Sequence, residues 1–304
     1  QLFRLFKELG IPADFLDRDE MATYLHSCVS SQSYAIKAPD ETMLVDQYLY
    51  DDPLSGGNDP KLGHKFMKVI VPKKYPGRSI FGMLNELNRE AFSYRWVTRF
   101  YCQDKQDALS ELGTRQTRWS GKIEPFKAMV KRMFFNAPPS DKDRNENAVL
   151  KVDEIKEAIR SVDAGEVGYG YYSTAVIVMD ESYDYVCNAA KAVKDVFQNL
   201  SMNPQIEDVG SVDAWLGCVP GNLHHFCRRP YVSTGNLVHM MPISDIWAGP
   251  ARNKHLHGPA LLYTRAEGAT PFRLHLHVGD VGPTRLVGPT APGTPGHLNL
   301  LSPH

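Results

Sequence analysis

The chain has 304 residues, 42% hydrophobic and 23% charged, with a formal net charge of −1. This is an ordinary globular composition, long enough for a large core and for one large or two ordinary domains. It excludes a generally basic nucleic-acid binder, and no run approaches the roughly 18 apolar residues of a membrane-spanning helix.

The chain opens QLFRLFKELGIPADF, without Met and without the long apolar stretch of a signal peptide, and reads as an internal start. The first 35 residues read as helical, interrupted by the acidic loop DFLDRDE. DDPLSGGNDPKLG, from Asp51 to Gly63, holds two prolines and three glycines and reads as an exposed loop or subdomain boundary.

A β-α-β pattern follows. HKFMKVIVP (64–72) is a strand closed by Pro72. Ile80, Met83, Leu84 and Leu87 recur at helical spacing across 79–91. SYRWVTRFYCQ (93–103) alternates Tyr94, Trp96 and Phe100 on one face with Arg95, Val97, Arg99 and Tyr101 on the other, which predicts a half-exposed strand with snorkelling arginines. The same interleaving of rings and cations also fits a single-strand nucleic-acid platform.

DKQDALSEL starts a helix at an Asp cap, and the helix continues through TRQTRWSGKIEPFKAMVKRMFF with a bend or break at Pro125. NAPPSDKDRNEN is a turn. The next helix places Ala148, Val152, Ile155, Ala158, Ile159 and Val162 along one stripe, so the pair reads as an antiparallel helical hairpin. A second β-α-β follows: a strand at 170–180, a helix with Val186, Ala190, Val193, Phe197 and Leu200 at 4-3-4-3 spacing, and a short strand at 203–210. Beyond Trp215 the pattern is irregular until strands resume at 259–265 and 271–278. There is no solenoid repeat and no low-complexity tract.

These readings predict an α+β fold: ferredoxin-like βαβ units with an inserted helical hairpin. They divide the chain into a helical and loop segment at 1–60, an α+β domain at 61–215 with its insertion at about 104–165, and a connecting β region at 216–304. Charge follows a similar division. Residues 1–60 hold 4 Lys/Arg against 11 Asp/Glu, residues 61–135 hold 16 against 6, and residues 136–304 hold 14 against 18. The basic middle block reads as solvated helix faces or as a surface for an anionic partner.

Few residues arrange themselves for chemistry. Cys28, Cys102, Cys187, Cys218 and Cys227 are odd in number and scattered, which fits reduced thiols rather than a disulfide frame. His224, His225, His239, His255, His257, His275 and His277 cluster late, but CVPGNLHHFC lacks a zinc-finger spacing. Glu86 and Glu90 lie one helical turn apart and read as a solvated pair. Ser233, Thr234 and Asn236 read as turn and capping residues.

The end of the chain, VGPTAPGTPGHLNLL, has the frame of a phosphate loop: Gly288, Pro289, Thr290, Ala291, Pro292, then Gly293 and Thr294. Such a loop needs converging backbone N–H groups, a Lys for the outer phosphates and a Ser or Thr for magnesium. Here Thr294 and Pro295 stand at the Lys and Ser/Thr positions, and Pro292 and Pro295 lack the N–H. The loop is degenerate, and hydrolysis of a nucleotide there is not expected.

Several ordered blocks carry a wider likeness: PGRSIFGMLNELNREAFSYRWVTRFYCQD, LGCVPGNLHHFCRRPYVSTGNLVHMMPISDIWAGP and LLYTRAEGATPFRLHLHVGDVGPTRLVGPT. Over about residues 22–304 the chain resembles the TrbE-type conjugal-transfer ATPases of type IV secretion systems. It departs from them at Pro283, where the family has His, and at Ala291 to Gly296, which replace the Lys-bearing loop. The resemblance implies the family's N-terminal and middle region, ahead of a RecA-like motor that lies beyond these residues. It implies a peripheral place at the cytoplasmic face of the bacterial inner membrane, docking on inner-membrane secretion subunits, and homo-oligomers in the intact family. ATP and Mg²⁺ serve the intact family; for this chain no cofactor is expected. Two other readings stay open: an active motor whose remainder is cut from this sequence, and a DNA-contacting module.

Overall fold

A computed structural model describes residues 2–11, 13–40, 43–76, 79–123, 145–222, 224–225, 230–241, 247–253, 255–265 and 271–276. The fold is α+β, built on an antiparallel sheet. The chain forms two compact units, one comprising residues 1–87 and 92–243 and the other residues 88–91 and 244–304.

The first unit starts with three helices, α1 (Leu2–Glu8), α2 (Arg18–Val29) and α3 (Val45–Leu49). Its strands are β1 (Leu54–Ser55), β2 (Lys61–Leu62), β3 (Lys65–Pro72), β4 (Arg95–Cys102), β5 (Tyr169–Asp180), β6 (Pro204–Glu207) and β7 (Tyr231–Ser233). They form one sheet in the order β1-β2-β3-β5-β4, with β6 also pairing β3 and β7 pairing β5, all antiparallel. β3 and β5 are therefore central. The Met67–Pro72 stretch is buried without a break, because both faces of the sheet are covered.

Side-chain alternation divides two cores. Ile70, Tyr172, Val176 and Val178 face the layer of α6 (Tyr183–Asn199). Val69, Val71, Ala175 and Ile177 face the layer holding Trp215 in α7 (Ser211–Leu216). The 4-3-4-3 stripe of α6 puts Val186, Ala190, Val193 and Phe197 at 1% exposure or less. Each large apolar side chain so buried contributes roughly 1.5–3 kcal/mol. Trp96 and Phe100 of β4 join the same layer, where the Trp96 indole N–H donates to Thr174 Oγ1 at 2.8 Å. Across from Phe100, a Cβ on Gly170 would stand 2.7 Å from the Phe100 ring and 2.3 Å from the Tyr101 carbonyl, so this pair needs glycine.

Between β4 and β5 the chain leaves the sheet as α4 (Lys105–Ser120) and returns as α5 (Glu146–Asp163). Asp104 caps α4 and Asn145 caps α5 by accepting from their first-turn amides. The pair is antiparallel: Lys105 Nζ meets Asp163 at one end, and the Asn145 N–H donates to the Ile123 carbonyl at the other. Ala148, Val152 and Val162 of the predicted stripe are buried, and Val162 packs with Ala108 and Leu112 of α4 beside Tyr169 and Tyr231. The described part of α4 ends at Ser120 with Gly121 as its C-cap; the expected bend at Pro125 lies outside the described residues.

One predicted helix has a different form. The 79–91 segment holds a 3₁₀ turn, Met83–Arg89, instead of an α-helix. Gly82 has φ +71°, a left-handed conformation that delays helix entry, and Met83 and Asn85 donate to carbonyls three residues back. Met83, Leu84 and Leu87 are still buried. The first unit ends with α8 (Thr234–Met240), whose N-cap Ser233 accepts from the Asn236 N–H.

The second unit contains a two-stranded hairpin, β8 (Leu262–Arg265) and β9 (Pro271–Leu274). Gly249, at φ +77°, lies against β9 so closely that a Cβ would come 2.4 Å from the Arg273 carbonyl.

Candidate functional site

The sequence-derived loop residues Gly288, Pro289, Thr290, Gly293 and Thr294 lie outside the described residues, as do Cys227 and His277. The described residues offer two other surfaces.

The first is the N-terminal face. α2 begins with a capping box in which Asp17 and Glu20 satisfy each other's backbone N–H groups, and it buries Ala22, His26 and Cys28. Its C-terminal end is clamped from three sides. Arg95 Nη1 donates to the Ser27 carbonyl at 2.9 Å, and Lys65 Nζ to the Ser31 carbonyl at 2.9 Å. His26 Nε2 lies 2.7 Å from Asp51 Oδ2, which also accepts from the Tyr34 hydroxyl at 2.7 Å. Asp52 accepts from the Ser31 N–H at 2.7 Å. Burial pushes the Asp51 carboxyl up, but the hydrogen bonds from His26 and Tyr34 outweigh it and hold the group below its ordinary value.

On this fixed support the outer surface is apolar. Leu9 is 63% exposed, Leu44 68% and Phe15 80%, and the Phe15 ring stacks on Phe3 at 4.9 Å. About half of all exposed large apolar side chains among the described residues fall within the first fifty positions. The surrounding rim is acidic, with Asp17, Asp19, Asp40 and Asp46 all exposed. A fixed, solvent-facing apolar surface of this kind is the mark of an interaction site.

The second surface comes from the basic block. Arg99 donates through its two terminal nitrogens to the Gly217 and Asn222 carbonyls, and Arg95 holds α2. Both guanidiniums of the interleaved strand are thus engaged inside the fold, not free for a nucleic-acid strand. Other cations converge elsewhere, on a cleft of about 500 Å³ lined by the end of β3, by α4 and α5, and by β7. Lys73, Lys74, Arg115 and Lys151 supply the charge, while Trp119 and Tyr231 supply rings. Tyr231 stacks on Tyr169 at 5.3 Å and carries the Arg115 guanidinium 4.8 Å over its face. Burial and the neighbouring Glu111 push the Tyr231 hydroxyl up to about 12.

The remaining candidates disperse. Glu86 lies in the 3₁₀ turn and Glu90 beyond its end, so the two do not share an α-helical face. No three His, Cys, Asp or Glu side chains among the described residues converge as metal ligands. His239 Nδ1 lies 2.8 Å from Ser79 Oγ, and His275 Nε2 2.8 Å from the Pro250 carbonyl. Sequence reasoning missed both the His26–Asp51–Tyr34 cluster and the convergence on the cleft. In the first case Asp51 lies 25 residues from His26 and 17 from Tyr34, and in the second the members come from several elements and loops, so no local spacing marks them.

Comparison with known proteins adds a context. The model of the CagE, TrbE, VirB family, described as a component of the type IV transporter system, matches residues 122–228. The chain is 31% identical over 288 residues to a probable conjugal transfer protein TrbE of Sinorhizobium fredii, a match covering 93% of this chain and 42% of that protein. It is 30% identical over 287 residues to the conjugal transfer protein TrbE of Rhizobium radiobacter, covering 93% of this chain and 34% of the other. It is 20% identical to the type IV secretion system protein virB4 of Bartonella quintana, again over 93% of this chain and 33% of the other. The chain thus spans well under half the length of these relatives.

Proposed function

Since the chain belongs to the CagE, TrbE, VirB family of type IV transporter components, we propose that it is the docking and assembly region of a conjugal-transfer ATPase. In this reading it sits peripherally at the cytoplasmic face of the inner membrane and joins inner-membrane channel subunits in DNA or protein transfer and pilus assembly. Homo-oligomers form in the intact protein. No helix among the described residues is long and apolar enough to cross a membrane. The observation that carries the reading is the apolar, acid-rimmed N-terminal face held rigidly on the sheet by Arg95, Lys65 and the His26–Asp51 pair.

The residues 288–296 are not a hydrolytic site in this reading, because Thr294 and Pro295 offer neither the cation nor the hydroxyl that a bound triphosphate and magnesium require. The ferredoxin-like description of the fold is supported by the strand path β6-β3-β5-β4, with α6 crossing between β5 and β6.

The test is co-purification of the chain with reconstituted inner-membrane secretion subunits, alongside an ATP-turnover assay. Binding is expected for the native chain and its loss for Phe6→Glu/Leu9→Glu/Phe15→Glu, which alters exposed side chains only. Unchanged binding by that triple variant, or sustained magnesium-dependent turnover, overturns the reading. A second reading, an active motor of which this is one portion, is favoured by the greater length of the relatives. A coding sequence that runs on into a Lys-bearing phosphate loop would establish it.

A further inference from the structure

We propose that the cleft between the end of β3 and the α4–α5 pair is a binding site for a nucleoside phosphate, separate from the docking face and from residues 288–294. Its phosphates would lie at Lys73 and Lys74, and its base against the Trp119–Tyr231 wall.

The charge is the first reason. Lys73 and Lys74 have no carboxylate partner among the described residues. Their backbone is pinned, since the Lys73 N–H donates to the Asn203 carbonyl at 2.6 Å and the Asn203 N–H donates to the Lys74 carbonyl at 3.3 Å. The acid in the lining, Glu154, is already paired with Lys151 at 2.5 Å. The cleft therefore holds a surplus of positive charge, which a phosphate neutralises with charge-assisted hydrogen bonds.

The rings are the second reason. The planar Arg115 guanidinium already lies over Tyr231, so this wall accepts a flat, delocalised group face-on. Lys122 Nζ sits 4.6 Å from the Trp119 ring centroid, which leaves a cation at the edge of the aromatic wall. The Tyr231 hydroxyl is buried without a hydrogen-bond partner in the fold, a condition that a base heteroatom relieves. Ser79 and Asn236 add polar groups at the rim.

Size and shape are the third. A cleft of about 500 Å³ falls inside the range of roughly 300–1,000 Å³ for small-molecule sites. A recessed cleft suits a nucleotide better than a flat lipid surface does. Among the described residues no carboxylate stands free in the lining to activate water, so the site holds the ligand without cleaving it.

The test uses the full chain and ADP in EDTA, followed by calorimetry and by Trp fluorescence. Trp119 is one of four tryptophans, and the Trp119→Phe variant assigns the signal. Saturable heat with quenching of Trp119 is expected. Losing two lysine–phosphate contacts in Lys73→Glu/Lys74→Glu should weaken binding by about tenfold or more. Thr294→Glu in the terminal loop should change nothing. Circular dichroism checks folding, and Lys73→Ala/Lys74→Ala replaces the charge reversal if that variant is misfolded. Equal ADP affinity in the lysine variants, no heat with native chain up to millimolar ADP, or binding of a single-stranded oligonucleotide without any binding of ADP each overturns the proposal.

Discussion

Asp51 shows how one carboxylate can hold an element in place. It accepts from both His26 and Tyr34, and it stands next to Asp52, which accepts from the N–H of Ser31 just past the end of α2. Its pKa is held below the ordinary 3.8, so the folded chain binds its proton less readily than the unfolded chain does. That contribution to stability is complete above the unfolded value and is lost as pH falls through the folded one. Asp59, hydrogen-bonded first by Lys68 and then by Tyr183, is lowered in the same direction. The urea midpoint should therefore stay level near neutrality and drop below about pH 4. Asp51→Asn should be less stable at pH 7 and lose less on acidification. Parallel acid losses in both proteins would contradict this account. At this scale little is legible from the sequence. SYRWVTRFY gives the alternation that puts Arg95 and Arg99 on one face, but not that each guanidinium reaches backbone carbonyls 68 to 123 residues away in sequence.

At the scale of the element, periodicity and caps carry most of the information. α6 is readable because its stripe is regular and Ser182 caps it; α4 and α5 are readable from Asp104 and a six-residue apolar stripe. The 3₁₀ turn at Met83–Arg89 is not, because four apolar residues over eight positions fit either helix type, and only the backbone of Gly82 decides. The same stripe predicts energetics. Phe197 is fully buried against the sheet, so Phe197→Ala should cost about 3–5 kcal/mol in denaturant unfolding. Lys191→Ala, on the exposed face of α6, should stay within about 0.5 kcal/mol. A loss below about 1 kcal/mol at Phe197 would mean that α6 does not seal the core.

At the scale of the molecule, the strand order is the least legible feature. β3 and β5 pair although they lie far apart in the chain, with Phe66 opposite Asp180, and nothing in either strand names the other. What the sequence does disclose is which strands are buried on both faces: KFMKVIVP and YGYYSTAVIVMD lack the clean polar alternation of a half-exposed strand. Hydrogen exchange should follow that distinction. The amides of Val69, Ile70, Val176 and Ile177, whose residues are at 2% exposure or less, should be among the slowest. Those of the β8–β9 hairpin, where Tyr263 is 67% exposed, should exchange far sooner. Equal protection in the two would be inconsistent with a core centred on β3 and β5.

The helical pair α4–α5 departs from Cys102 and rejoins at Gly170, residues that face each other in the ladder, and the Gln103 N–H still reaches the Tyr169 carbonyl. The excursion thus begins and ends at a single rung. Its length has no bearing on strand register, and the entropy of closing so long a loop grows only as the logarithm of its size. Lineages of this fold are free to extend, trim or remodel the protruding arm while the underlying hairpin of β4 and β5 remains unaltered.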